Sequence, residues 1–133
     1  MNSYPRREFL LRALTACGAS FLTPSPSVEG AQKPQAGPAA AGYFAGHTDA
    51  ARAIGEAYVR QLGLDTSPAS IRKASIAALE VIERASSQQN AISALELAVR
   101  RDFQQGRSVQ LEGWIVSRTE AELCALTLLP ATN

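Results

Sequence analysis

The chain carries few of the residues that usually do chemistry. Among its 133 residues there is one histidine, His47, and two cysteines, Cys17 and Cys124. A zinc site takes three or four Cys, His or acidic ligands, and His47 has no such cluster beside it in sequence. It reads as a surface or linker histidine. A catalytic thiol needs a neighbouring base that lowers its pKa. Cys124 has Glu120 one turn before it and no histidine, so it reads as a small buried hydrophobe. The Ser and Thr hydroxyls have no triad partner. Gly106 and Gly113 are isolated and make no phosphate loop.

Charge of one sign is missing too. The formal net charge is +1. Beyond residue 30 ten basic residues face ten acidic ones. Binding a phosphate backbone takes a local surplus of Lys and Arg, so nucleic acid is not an expected partner. Glu80 and Arg84 read as an ordinary helix pair four residues apart, and Glu83 and Glu96 offer no paired-carboxylate site. There is no internal repeat. No apolar run reaches the roughly 20 residues of a membrane-spanning helix.

What is present is an address. The N-terminus runs Pro5-Arg6-Arg7-Glu8-Phe9-Leu10-Leu11-Arg12, then a weakly apolar stretch to Leu22. A positive front, a modest apolar middle and a Pro-rich polar tail form the layout of a secretory signal. Arg6, Arg7, Phe9 and Leu10 resemble, position for position, the Ser/Thr-Arg-Arg-x-Phe-Leu-Lys motif of twin-arginine signal peptides. Pro5 stands in place of the Ser/Thr, and Leu11 in place of the Lys. The resemblance covers about the first thirty residues. It implies export in the folded state by the twin-arginine translocase to the periplasm or beyond, with only transient membrane contact. Two processing routes stay open. Val28-Glu29-Gly30 before Ala31 suits a signal peptidase, whereas Leu14-Thr15-Ala16-Cys17 is arranged as a lipobox that would tether the protein through a lipidated Cys17. Removal of the signal leaves Cys124 as a single thiol, so no internal disulfide is expected.

The remainder divides into two parts. Residues 31–47 hold Pro34, Pro38 and several Gly and Ala, the composition of a flexible linker. Tyr43 and Phe44 are placed to pack as an N-terminal arm on the domain. Residues 48–130 read as a small, mainly α domain: a bundle of about four helices with one extended, strand-like segment before the last helix. The first helix starts at a Thr48 or Asp49 cap, and Gly63 with Leu64 ends it in a Schellman motif. The second is capped by Ser67, opens on Pro68 and continues to Ala85. The third starts at Asn90 and buries Ile92, Leu95, Val99 and Phe103, with Arg100, Arg101 and Asp102 around the back. Ser117 and Glu120 form a capping box for the last helix. A body of about 80 residues is marginal alone.

Residues 107–116 alternate polar and apolar until Gly113 interrupts them. A lone strand leaves backbone donors and acceptors open. Either it lies as an extended loop with Trp114 in the core, or Val109, Leu111, Trp114 and Val116 meet another chain. The run from Gly113 to Leu126 resembles the ends of small twin-arginine proteins, which implies a subunit or escort of a larger periplasmic oxidoreductase. That likeness supplies no catalytic residue. A non-catalytic accessory protein without a cofactor of its own is therefore the leading expectation. A stand-alone protein holding an apolar ligand among Tyr58, Leu79 and Phe103 is the alternative.

Overall fold

The computed structural model describes residues 33–130. The motif residues Arg6, Arg7, Phe9 and Leu10, Cys17, and the cleavage region up to Ala31 lie outside the described residues. The described chain is mainly helical with one small sheet. In order it forms α1 (Ala36–Tyr43), α2 (Thr48–Gln61), α3 (Pro68–Ala74), α4 (Ile76–Arg84), α5 (Gln88–Gln104), β1 (Ser108–Leu111), β2 (Trp114–Ser117) and α6 (Arg118–Leu126).

The last helix is the centre. Every residue of α6 from Thr119 to Leu126 is buried, and all five other described helices pack against it. An apolar run such as Leu123 to Leu126 buries on all sides because α6 is enclosed rather than resting on a core. Its closest neighbour is α2. A methyl group added at Gly55 would sit 2.3 Å from the Cys124 carbonyl oxygen and 2.8 Å from the Ala125 nitrogen. Only glycine permits that approach, although it costs about 1 kcal/mol of helix propensity relative to alanine. Ile71, Ile82, Leu95 and Val59 close around Leu123 and Leu126, all fully buried.

Several local signals act as the sequence predicts. Leu64 donates its N–H to the Val59 carbonyl at 3.1 Å and Gly63 donates to Arg60 at 2.9 Å, a Schellman ending. Ser67 Oγ accepts the Ser70 N–H at the start of α3, with Pro68 as its first residue. At α6 the Glu120 N–H donates to Ser117 Oγ and the Ser117 N–H donates to Glu120 Oε2, both at 2.9 Å. The capping box is complete.

Others differ, each for a physical reason. Residues 36–43 are helical rather than an extended linker. Ala39 and Ala40 are wholly buried, so their small side chains let α1 lie close on α4, α5 and α6. Pro38 falls in the first turn of α1, where a helix leaves its N–H groups without internal partners. Tyr43 and Phe44 do pack, edge to face, with ring centroids 5.0 Å apart. The single helix expected from Pro68 to Ala85 is two, broken at Ser75. At α2 the cap position is His47, not Thr48 or Asp49. Ser87, not Asn90, caps α5, accepting the Asn90 N–H at 3.2 Å. On α5 the faces of two neighbours are exchanged: Phe103 is 48% exposed and Asp102 only 4%. Hydrogen bonds draw Asp102 inward.

Candidate functional site

Two features stand out on this scaffold, a hairpin and a set of buried carboxylates beside it. Residues 107–116 are not a loop with Trp114 in the core, and their strand is not alone. Ser108 pairs with Ser117, Val109 with Val116, Gln110 with Ile115 and Leu111 with Trp114 in an antiparallel ladder. Glu112 (φ 49°) and Gly113 (φ 86°) make the connection. Two successive positive φ values match the twist of a two-residue hairpin. Asn-Gly or Asp-Gly is the usual sequence there, and Glu-Gly hides the turn.

The register sorts the side chains. Val109, Leu111, Trp114 and Val116 share the face turned to the body. Leu111 is 3% exposed, and Val109 and Val116 pack partly buried against the core. Three of the four residues expected to meet another chain are therefore taken up, wholly or in part, by the chain itself. Trp114, next to the turn, overhangs that face and is 54% exposed; Ile115, on the outer face, is 59% exposed. The Arg118 N–H donates to the Arg107 carbonyl at 3.0 Å, extending the ladder. Hydrogen-bonded pairs alternate from there. The backbone N–H and C=O of Gln110 and Ile115 consequently point to the outer edges of the hairpin.

Asp102, Glu120 and Glu122 are buried at the base of the hairpin and along α6. Each has a structural use. Asp102 accepts the Thr119 N–H at 2.7 Å and the Arg107 Nε–H at 2.9 Å. Its own carbonyl takes the Arg107 N–H at 2.8 Å. It thus joins the end of α5, the start of β1 and the first turn of α6. Burial pushes its pKa up, but the Thr119 and Arg107 bonds outweigh that and hold it below the usual range. Glu120 belongs to the capping box; burial raises its pKa against the Ser117 bonds, and the charge of Asp102 adds to the rise. Glu122 Oε2 accepts the Ala78 N–H at 2.8 Å, and Oε1 pairs with Arg118 Nε at 3.2 Å. Burial raises it as well, opposed by those bonds.

Carboxylates at helix N-termini meet the free N–H groups and the positive end of the helix dipole. All three accept a backbone N–H in a first helical turn or at its cap, so they read as structural anchors. Cys124 is 2% exposed, and burial pushes its thiol up to about 12. That is the inert form of a cysteine. His47 is exposed at the mouth of an open hollow of about 400 Å³ lined by Gly46, Thr48, Asp49 and Ala50. Among the described residues no group of three or more His, Cys, Asp or Glu side chains is placed to hold a metal ion. No described helix is long and apolar enough to cross a membrane.

The residues proposed to line a ligand cavity do not share one environment. Tyr58 belongs to the core cluster and Leu79 packs against it, partly buried, whereas Phe103 stands outside it, half exposed. Sequence reasoning missed Asp102 and Glu122 because both look like surface charges in their helices. The signals that would have found them are the Arg107 directly after Gly106 and the Arg118 four residues before Glu122. No family model, curated protein or solved structure matches the chain.

Proposed function

We propose that the chain is a non-catalytic accessory subunit, exported folded by the twin-arginine route, that accompanies a larger periplasmic redox enzyme lacking its own signal. The observation that carries the reading is the hairpin tip, where Trp114 and Ile115 are adjacent and more than half exposed. A tryptophan held on a fixed turn is the kind of anchor that dominates protein interfaces. The anchoring of Asp102, Glu120 and Glu122 in helix caps supports the same reading, because ionisable groups committed to the fold are not poised for proton transfer. Arg6 and Arg7 supply the address.

The test compares the tagged intact protein with an Arg6→Lys, Arg7→Lys double variant. The intact protein is expected in the periplasm together with a cofactor-bearing enzyme, and both are expected in the cytoplasm with the variant. A monomeric protein recovered alone from the periplasm would overturn the subunit reading.

A further inference from the structure

Residues 69–85 contain neither Gly nor Pro. Their apolar residues Ile71, Ala78, Leu79, Ile82 and Ala85 form one helical stripe. Nothing local requires the helix to stop. It nevertheless leaves helical geometry at Ser75 (φ −122°, ψ 29°) and restarts at Ile76.

A restart creates free N–H groups. Here a side chain from a different helix takes one of them. Glu122, on α6 and 1% exposed, accepts the Ala78 N–H. Ser75 Oγ donates to the Glu122 backbone carbonyl at 3.1 Å. One residue of α6 thus holds both sides of the break. A buried carboxylate is costly unless it is paired, and apolar packing alone would be served by leucine at this position. The break is what Glu122 provides in return.

We propose that the Ser75 break is a switchable joint: ionised Glu122 holds α3 and α4 apart as two helices, and loss of that charge lets Ser75 join them. In a continuous helix the Ala78 N–H would bond the Ala74 carbonyl, leaving Glu122 without it. A desolvated carboxyl with fewer donors holds its proton more tightly. The continuous form therefore binds the proton better, and acid favours it by linkage.

The groups facing Glu122 set the range. Arg118 pairs with it from one turn earlier on α6 and is itself 59% exposed. Tyr58 approaches from α2 and shares Arg118. From the α3–α4 segment come the Ala78 and Ala77 N–H groups. Tyr43 of α1 interacts instead with Glu120 and Cys124 of α6 and with Glu96 and Arg100 of α5, and Asp102 of α5 acts on Glu120. Burial places the Glu122 transition above the ordinary 4.5, whereas the Asp102 anchor fails only below 3.8. The joint consequently switches before the Asp102 anchor is lost. Ile76, 57% exposed, opens α4, so the joint sets how that apolar side chain is presented. This device stands whether or not a partner docks at the hairpin.

Nuclear magnetic resonance on the full chain tests it. The Ser75 Cα shift is expected to move to its helical value on acidification, in step with titration of the Glu122 carboxyl. In Glu122→Gln it should be helical at neutral pH and no longer titrate. Arg118→Met should raise the midpoint, because Arg118 favours the ionised form. A Ser75 that stays non-helical while Glu122 titrates would overturn the proposal, as would a Glu122→Gln protein still broken at neutral pH. The titration of the unaltered chain decides the matter even if a variant fails to fold.

Discussion

The hairpin and α6 are consecutive in sequence and opposite in design. In α6 a mixed run of charged and apolar residues, Thr119 to Leu126, is taken entirely inside. In the hairpin two of the largest apolar side chains, Trp114 and Ile115, are left outside. Each departs from the ordinary rule that charge faces water and apolar surface does not. The departures are not equivalent. The buried carboxylates all accept hydrogen bonds from within the chain, whereas the exposed faces of Trp114 and Ile115 are covered by none of the described residues. The first departure is therefore a property of the fold, and the second leaves an apolar surface open among the described residues.

The contrast breaks most severely at the close crossing that encloses α6. Gly55→Val places side-chain atoms inside the Cys124 carbonyl. Overpacking of this kind costs about 3 kcal/mol or more where backbone must move, and denaturant unfolding should show that loss or a failure to fold. Next comes Asp102→Ala. It strands the Thr119 N–H and half-buried Arg107, at a cost of about 2 kcal/mol in the same unfolding experiment.

The pH dependence separates the anchors around α6 from one another. Asp102 has a lowered pKa in the fold, so its stabilisation is present above 3.8 and is lost as the pH falls through the folded value. Glu120 has a raised one. Its favourable contribution is present below 4.5 and is lost as the pH rises through the folded value. Asp102→Asn should accordingly flatten the acid limb of a stability–pH profile, and Glu120→Gln should remove a decline on the other side. Matching profiles for the two variants would mean that these two anchors are not distinguished as described.

How much was legible in the sequence depends on the range of the interactions. Caps and endings lie within one or two turns, so Ser67, Ser117, Glu120 and Gly63 could be read directly. The hairpin turn was local but disguised, since Glu112 is an unusual residue at positive φ. Asp102 and Glu122 were not legible, because what buries them lies elsewhere: Thr119 is 17 residues from Asp102, and Ala78 is 44 residues from Glu122. The second of those contacts lies at the Ser75 break, which no residue between Ala69 and Ala85 announces. The α1 helix depends on tertiary packing over Ala39 and Ala40, which overrides the low helix propensity of a Gly- and Pro-containing segment.

The smallest expected effect on stability bears most directly on function. Replacing Trp114 and Ile115 together by serine removes half-exposed side chains. It should cost no more than about 1 kcal/mol, as for substitutions away from the core. The deciding measurement is affinity capture of the proposed partner enzyme from the periplasm by this double variant beside the intact protein. A docking tip at Trp114 and Ile115 requires that the variant fold, be exported and no longer capture the enzyme. Undiminished capture by the variant would remove the hairpin tip as the docking surface.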